Sequence, residues 1–311
     1  MRVVFLGTPE FALPTLKALV SGGHQVVAVF TQPDRPKGRG NQLTESPVKV
    51  AAKALNIPVY QPERIRRPEP VEQLRQLAAE IMVVVGYGQI IPQAIIDLPR
   101  HGILNVHASL LPKYRGAAPI QWAIANGETE TGVTIMQIDA GLDTGDMLLK
   151  ATVPIGRDET APQLSAQLAP IGAELLLQAM RQIEDGTVHR DRQNDAEASH
   201  APILKKEDGQ IDWSKSAQQI YNRLRGFTPW PGAFTNFRGQ QLSILRARPV
   251  QRNASSPGSL EIEKPRVFAG CGGNTALELL EVQLAGKKRM PADAFANGYQ
   301  ITAGETLVSE K

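Results

Sequence analysis

The sequence is poor in the features that mark secreted, disulfide-bonded and membrane proteins. It contains a single cysteine, Cys271, among 311 residues, so no disulfide can form within the chain and a reducing compartment is expected. No apolar run approaches the roughly 18 residues that a membrane-spanning helix requires. The first seven residues, MRVVFLG, predict a β-strand and not a secretory signal. These features predict a cytoplasmic protein with no membrane partner.

A second absence concerns the glycine pattern of dinucleotide-binding proteins. Their G-x-G-x-x-G motif lies between a first strand and a helix. Here residues 7–12 are GTPEFA, with one glycine, and residues 86–91 are GYGQII, without the third glycine. This pattern counts against a nicotinamide-dependent dehydrogenase. The sequence also lacks the spacing of a Ca²⁺ loop and the His and Cys ligands of transition-metal sites, so no metal is expected.

Length and charge set broad limits on the organisation. The chain is about twice as long as a typical domain of roughly 150 residues, which predicts two domains. Apolar residues make up 42% of it, enough to build packed cores. The net charge is +3, and residues 207–311 hold 13 of the 34 Lys and Arg but only 10 of the 31 Asp and Glu. The basic excess therefore lies in the C-terminal third, although it is too small by itself to indicate nucleic-acid binding.

Residues 1–150 alternate short Val- and Ile-rich runs with amphipathic stretches, which is typical of a doubly wound α/β domain. Strands are predicted at residues 3–6, 26–31, 81–85, 103–106, 133–138 and 147–153. Helices are predicted at residues 10–20, 47–55, 70–79, 117–125 and 160–184. The run IMVVV at 81–85 has no polar alternation, which predicts a central strand covered on both faces.

The C-terminal part has a different pattern. Residues 185–206 are polar and aperiodic, which is typical of a linker. Beyond them we predict a helix at 216–224 and short strands such as 241–246 and 276–283, interrupted by Gly and Pro. This pattern favours a small β-barrel or β-sandwich.

Asn105 and His107 lie where the strand predicted at 103–106 ends. Side chains two residues apart on a strand point the same way. An amide donor beside an imidazole can bind an oxyanion and supply a proton at one place. The residue types alone leave a second interpretation open, in which these are a turn asparagine and an ordinary surface histidine.

Three further loops contain candidate binding residues. Residues 138–146, IDAGLDTGD, form a glycine-rich loop in which a carboxylate can act as a base, although a solvated turn or a metal site would use the same residues. The Gly-Thr-Pro turn at residues 7–9 can offer backbone N–H groups to an anion. The basic loop PDRPKGRG at 33–40 can contact phosphates, or it is simply a mobile surface loop.

The segment LNVHASLLPKYRG at 104–116 resembles the signature of the folate-dependent formyltransferases. GLDTG at 141–145 is similar to their second motif. Three further segments narrow the resemblance to the methionyl-tRNA formyltransferases: FLGTPEFA at 5–12, QPDRP at 32–36 and RGFTPWPGA at 225–233. With KKRM at 287–290, the resemblance covers almost the whole chain.

This resemblance implies a fold of two parts. The first is an α/β, Rossmann-like, doubly wound and mostly parallel sheet forming a catalytic domain over residues 1–189. A linker over 190–206 and a small C-terminal β-barrel of oligonucleotide-binding type over 207–311, which binds tRNA, would follow it. We expect a monomer.

The resemblance also implies an activity. The enzyme would transfer the formyl group of the reduced folate 10-formyltetrahydrofolate, its co-substrate, to the α-amino group of methionyl initiator tRNA. The product, N-formylmethionyl-tRNA, serves translation initiation, and no metal is needed. Two alternatives stay open: a formyltransferase acting on a sugar-nucleotide amine, and a non-catalytic tRNA-binding protein that uses its barrel domain.

Site residues follow from the matched motifs. Catalysis is assigned to Asn105, His107 and Asp143. Folate binding is assigned to Val85, Gly86, Tyr87, Gly88, Gln89, Ile90, Ser109, Leu110, Leu111, Pro112, Asp139 and Gly141. Contacts with the tRNA substrate are assigned to Gly7, Thr8, Pro9, Arg35, Lys37, Arg39, Arg225, Lys287, Lys288 and Arg289. Residues 41–47, NQLTESP, lack the lysines usual in the family, so Arg35, Lys37 and Arg39 are expected to provide the phosphate contacts of this loop.

Overall fold

A computed structural model of the chain describes residues 1–37, 42–253 and 256–308. The chain divides into two compact units. The N-terminal unit comprises Met1–Pro119, Glu130–Pro154 and Leu164–Pro202, and the C-terminal unit comprises Ile120–Thr129, Ile155–Gln163 and Ile203–Lys311. No helix within the described ranges has both the length and the apolar character needed to cross a membrane.

The N-terminal unit is built on a mostly parallel sheet. In chain order, its described strands are β1 (Arg2–Gly7), β2 (Gln25–Phe30), β3 (Arg35–Lys37), β4 (Gln42–Thr44), β5 (Val59–Tyr60), β6 (Ile81–Val85), β7 (Ile103–His107), β8 (Arg115–Gly116), β9 (Glu130–Gln137), β10 (Met147–Pro154) and β11 (His200–Ala201). The main sheet has the order β10-β9-β7-β6-β1-β2-β5. Strands β5, β2, β1, β6 and β7 run parallel, whereas β9 and β10 are antiparallel to their neighbours.

Six of the eight described helices begin and end close to where the sequence predicts, and the short helices at 93–96 and 292–298 were not predicted. In chain order the eight are α1 (Leu13–Ser21), α2 (Pro47–Ala54), α3 (Pro68–Gln76), α4 (Gln93–Ile96), α5 (Pro119–Ala125), α6 (Ala161–Glu184), α7 (Ala217–Gly226) and α8 (Ala292–Gly298). The hydroxyl of Ser46 accepts a hydrogen bond from the Lys49 N–H (3.1 Å) and so caps α2. Every residue of the central strand β6 is buried, which confirms the prediction from its unbroken apolar run.

The C-terminal unit contains an antiparallel sheet. Its described strands are β12 (Ala233–Phe237), β13 (Gln240–Val250), β14 (Leu260–Glu263), β15 (Arg266–Cys271), β16 (Thr275–Leu284) and β17 (Met290–Pro291). The order is β12-β13-β16-β15-β14, and β17 pairs with β16. Phe237, Leu277 and Phe295 lie in its core. Cys271 is also buried, and burial raises the pKa of its thiol to about 12, so it is an unreactive core residue.

The last described residues join the two edges of this sheet. The Val308 N–H donates to the Asn236 carbonyl in β12 (2.9 Å), and the Leu307 N–H donates to the Gly258 carbonyl, just before β14 (2.8 Å). A segment that bonds to both edge strands closes the sheet on itself. This closure gives the barrel-like form that the sequence predicts.

The polar stretch predicted as a linker is partly built into the N-terminal unit. Asp191 pairs with Met147 in an isolated bridge, and β11 pairs with β8. Polarity marks a linker only when the polar groups face water, and here several of them bond to the unit instead. The contacts divide the chain at residue 202, and the domain boundaries at 189 and 207 stay predictions.

Glu278 on β16 is the buried carboxylate of an ion cluster in the C-terminal unit. It is 4% exposed and accepts hydrogen bonds from Arg266 Nε (3.1 Å) and Nη2 (3.0 Å) and from Arg248 Nε (2.7 Å). The bond from Arg266, with that from Arg248, lowers the pKa of Glu278 from 4.5 to about 2, against the opposing effect of burial. A carboxyl group whose pKa is lower in the folded state stabilises the fold at pH values above its unfolded-state pKa. This stabilisation is lost as the pH falls toward the folded-state pKa.

We therefore expect Glu278→Gln to lower the free energy of unfolding at pH 7 by about 1–3 kcal/mol. The difference from the wild type should shrink as the pH falls from 4.5 toward 2, because the wild-type carboxyl becomes protonated. Denaturant unfolding followed by circular dichroism at pH 7, 4 and 3 measures it. Glu207→Gln, at an exposed position, is the control. A loss that is equal at every pH would show that the carboxylate charge is not its source.

Candidate active site

Asn105 and His107 on β7 face the same carboxylate. Asn105 is 8% exposed and His107 is 5% exposed. The Asn105 amide Nδ2 donates to Asp143 Oδ1 (3.3 Å), and His107 Nδ1 lies 3.7 Å from Asp143 Oδ2. The structure thus brings together three side chains that the sequence places in two motifs.

The orientation of the His107 ring is fixed by the backbone. Its Nε2 lies 2.9 Å from the carbonyl oxygen of Tyr114. A carbonyl can only accept, so Nε2 holds a hydrogen and donates it. Nδ1 is therefore the nitrogen that faces Asp143. Any proton exchange between this ring and a ligand at the carboxylate takes place at Nδ1.

The loop that contains Asp143 reaches the site by an unexpected route. If β9 were parallel to β7, residues 139–146 would lie at the edge of the sheet where the parallel strands end. However, β9 runs antiparallel to β7, and the Ile138 N–H donates to the carbonyl of Ile103, the first residue of β7 (2.8 Å). The loop therefore starts at the opposite edge and returns toward the middle of β7, where Asp143 meets Asn105.

Short contacts shape this loop. Asp139 Oδ1 accepts from the Gly141 N–H (3.0 Å) and from Thr144 Oγ1 (2.7 Å). A Cβ atom at Gly145 would overlap the carbonyl oxygen of Gln137, so only glycine fits there. The Asp139 carboxylate is thus used within the loop.

Within residues 1–37, 42–253 and 256–308, no group of three or more His, Cys, Asp or Glu could hold a metal ion.

The turn at Gly7, Thr8 and Pro9 packs against the loop that follows β6. Thr8 Oγ1 donates to the Tyr87 carbonyl oxygen (3.1 Å). A Cβ atom at Gly86, where φ is +57°, would lie 2.9 Å from Pro9 Cγ. Two segments that the sequence assigns to different ligands therefore form one surface.

Only some side chains of the predicted folate loops are available to a ligand. The amide of Gln89 accepts from the Ile65 N–H (2.7 Å) and donates to the Pro62 carbonyl (3.1 Å). Val85 is fully buried, and Tyr87 is 1% exposed. By contrast, Ile90 is 85% exposed and Leu142, in the Asp143 loop, is 61% exposed. These two loops therefore offer apolar side chains and backbone groups.

Residues 109–112 are held rigidly. Thr134 Oγ1 donates to the Ser109 carbonyl (2.7 Å) and accepts from the Leu111 N–H (3.1 Å). Ser109 and Leu111 are buried, whereas Leu110 and Pro112 are half-buried. Thr134 on β9 is a residue of this site that no motif in the sequence indicates.

The residues assigned to tRNA lie in different environments. Arg35 is exposed on β3, Lys37 ends that strand, and Arg39 lies outside the described residues. Lys287, Lys288 and Arg289 are exposed between β16 and β17, and Arg289 Nε lies 3.8 Å from Glu281 Oε1.

Arg225, also assigned to tRNA, is 6% exposed. Its Nη1 donates to the carbonyls of Gly156 (3.2 Å) and Glu159 (3.1 Å), and its Nε and Nη2 donate to Asn222 Oδ1 (3.2 and 3.1 Å). The guanidinium thus joins helix α7 to the segment Ile155–Gln163 of the C-terminal unit. Its contact with tRNA stays a prediction.

Backbone groups of the 104–116 motif complete the site. The Gly116 N–H donates to Asp143 Oδ2 (2.8 Å), and Tyr114 supplies the carbonyl for His107. Both residues belong to the 104–116 motif, but their residue types predict no role. Their side-chain types do not reveal which backbone atoms point at the site.

Comparison with known proteins agrees with this geometry. The profile described as "Formyl transferase" matches residues 1–180, and that of the formyl transferase C-terminal domain matches residues 203–300. The chain therefore belongs to the formyl transferase family. Its Rossmann-like sheet, with Asn105, His107 and Asp143 brought together, is that of a group-transfer enzyme.

The similar curated proteins are more specific. The methionyl-tRNA formyltransferase of Solibacter usitatus is 60% identical over 99% of this chain and 98% of its own. That of Koribacter versatilis is 59% identical with the same coverage. The crystal structure of an N-formyltransferase from Helicobacter canadensis in complex with folinic acid and dTDP-3-aminofucose has a TM-score of 0.67 at 20% identity, over 89% of this chain and 98% of that one. That structure supports the fold alone.

Because Arg225 is buried, we expect Arg225→Gln to act first on stability. Removing donors from buried carbonyls should lower the free energy of unfolding by about 2–4 kcal/mol, and thermal denaturation measures this. Lys287→Ala, at an exposed position, should leave the melting temperature unchanged. An Arg225→Gln protein as stable as the wild type but impaired in tRNA binding would instead support a direct contact.

Proposed function

We propose that this protein transfers the formyl group of 10-formyltetrahydrofolate to the α-amino group of methionyl initiator tRNA. The product is N-formylmethionyl-tRNA for translation initiation. The single observation that best supports transfer chemistry is that the side chains of Asn105 and His107 both face the Asp143 carboxylate. The choice of acceptor is supported by the full-length relatives named methionyl-tRNA formyltransferase.

The loops after β6 and β9 suit a reduced folate. Exposed Ile90 and Leu142 offer apolar contact to a flat ring, and the backbone at 86–90 and 139–141 can bond its polar edge. The assignment of Val85–Ile90, Ser109–Pro112, Asp139 and Gly141 to folate is part of this proposal. Bound 10-formyltetrahydrofolate supplies an activated formyl carbon.

Asn105 is placed to stabilise the charge that develops during transfer. A free α-amino group titrates near pH 8, and the adjacent ester lowers this value, so much of the amine is a neutral nucleophile. Its nitrogen bonds to the formyl carbon, and negative charge moves to the formyl oxygen. The Asn105 amide has two hydrogens, one directed at Asp143 and one free for this oxygen, a contribution of about 3 kcal/mol.

His107 and Asp143 move the protons. Asp143 accepts the proton that the amine loses, directly or through a water. Protonated His107 donates from Nδ1 to folate N10 as the bond between carbon and N10 breaks. The Asp143 proton then returns to His107 Nδ1 through a bridging water, since the 3.7 Å between the two atoms is too long for a direct hydrogen bond. The net result moves one proton from the amine to N10.

Binding of tRNA is proposed for basic residues of both units. Arg35, Lys37 and Arg39 would contact acceptor-arm phosphates, and Lys287, Lys288 and Arg289 would contact the backbone elsewhere. Residues 7–9 would bind near the acceptor end. We further propose a cytoplasmic, monomeric enzyme without metal, with catalysis in residues 1–189 and tRNA binding in 207–311.

One assay separates this function from its alternatives. The purified protein is given 10-formyltetrahydrofolate with methionyl initiator tRNA or with a dTDP-linked amino sugar, and the formylated product is measured. We expect product with the charged tRNA only. Formylation of the sugar amine would instead support a sugar-nucleotide enzyme. Tight tRNA binding without any transfer would support a non-catalytic binding protein.

Asp143→Asn tests the base. Because it removes the proton acceptor but keeps the shape, kcat should fall by about 10²–10⁴-fold, while folate affinity stays nearly constant. Steady-state kinetics and folate titration by fluorescence measure both. Asp185→Asn, the same chemical change at an exposed turn, should be fully active. An active Asp143→Asn enzyme contradicts the assignment.

Arg39→Ala tests the basic loop. Loss of one phosphate contact should raise the KM for tRNA, reduce the slope of log affinity against log salt by about 1, and leave the affinity for the folate unchanged. Kinetics at several salt concentrations measure the slope. Lys17→Ala, an exposed lysine on α1, is the control. Unchanged tRNA kinetics would remove Arg39 from the interface.

A further inference from the structure

Gln193 is a buried polar residue in the stretch that the sequence predicts as a linker. It is 6% exposed. Its Nε2 donates to the carbonyl oxygen of Asp143 (2.9 Å) and to that of Gly145 (2.8 Å). Both amide hydrogens of this side chain therefore bond to the backbone of the loop that contains the proposed base.

Arg115 fixes the orientation of that amide. It is also 6% exposed, and its Nε donates to Gln193 Oε1 (2.9 Å). A guanidinium has no acceptor, so the amide oxygen faces Arg115 and the amide nitrogen must face the loop. Arg115 Nη2 in turn donates to Asp195 Oδ1 (2.8 Å), which anchors the chain on the other side of Gln193.

The loop needs this support because of its backbone. Asp143 has φ of +53°, a left-handed conformation that is less favourable for aspartate than for glycine. Hydrogen bonds from neighbouring segments help to hold it. Gln193 bonds the carbonyls of residues 143 and 145, and the Gly116 N–H bonds the carboxylate itself. The dipeptide Arg115–Gly116 thus reaches Asp143 twice, through its own backbone and through Gln193.

We propose that Gln193, oriented by Arg115, is a positioning residue that holds the Asp143 carboxylate against Asn105 and His107. The inference rests on the proposed function for the role of Asp143. Among the residues that the structure describes, the Gln193 side chain bonds only to this loop and to Arg115, so it acts through Asp143. Displacing a reacting group by about 1 Å can cost about 100-fold in rate, which sets the scale of the effect.

The first test is kinetic. Gln193→Leu keeps the approximate size and removes all three bonds, so kcat should fall by about 10–100-fold, with the KM values for tRNA and folate changed less than about twofold. In an Asp143→Asn background the same substitution should have no further effect, because residues acting as one unit are not additive. A full additional loss in that background, or an unchanged kcat in the single variant, overturns the proposal.

Two further variants separate positioning from general stability. Gln193→Asn, which is too short to bond both carbonyls, should fold and show a smaller loss of kcat. Trp213→Phe removes a buried hydrogen bond to Thr235 Oγ1 (3.0 Å) in the C-terminal unit, so it should lower the melting temperature without changing kcat. If kcat falls in proportion to melting temperature in all three variants, positioning is contradicted.

The second test needs no substrate. The Gly116 N–H donates to Asp143 Oδ2, so this bond should slow its hydrogen exchange. Gln193→Leu or Gln193→Asn should speed exchange at Gly116, while exchange rates in strands β1 and β6 stay unchanged. Unchanged protection at Gly116 refutes the proposal. This outcome is distinct from a failure of the proposed function, in which the wild type would not formylate methionyl-tRNA whatever the exchange rates.

Discussion

The carboxylate of Asp143 accepts hydrogen bonds from two segments of the chain and faces a third group. Asn105 Nδ2 and the Gly116 N–H bond its two oxygens, and His107 Nδ1 lies 3.7 Å away. Because these groups are nearly buried, an unbonded carboxylate there would be costly, and an unpaired donor would be too. The parts of the site are therefore coupled. A change in the backbone near Tyr114 or Asp143 therefore alters the contacts of Asn105, His107 and Asp143 together.

Sheet topology makes this meeting possible. The parallel strands end at one edge and place the turn at 7–9 against the loop that follows β6, as expected for ligand sites of open α/β sheets. The reversed strand β9 then sends the next loop from the other edge back toward β7. The site therefore lies between two kinds of loop, one at the strand ends and one that crosses the sheet. The loop after β9 is held in part by residues outside the sheet, among them Gln193, which donates to the carbonyls of Asp143 and Gly145.

Buried polar residues stabilise loops in both units. Arg225 and Arg115 resemble surface cations by residue type, yet their guanidiniums bond backbone and amide groups within their own units. Buried donors with partners stabilise loops that have little apolar surface. Exposed cations such as Lys287 and Lys288 remain available to a polyanion. These exposed cations are chemically suited to salt-dependent binding of nucleic acid.

The sequence by itself predicted six of the seven strands of the main sheet, six of the eight described helices and the order of the two parts, since local apolar periodicity decides these. Strand spacing placed Asn105 and His107 on one face, and the resemblance of two motifs to the formyltransferases indicated these two residues and Asp143. Tertiary structure alone decided that β9 is antiparallel, that Gln193 and Thr134 belong to the site, and that Arg225 is buried. Strand direction and the partner of a polar side chain depend on distant residues, and no local pattern contains that information.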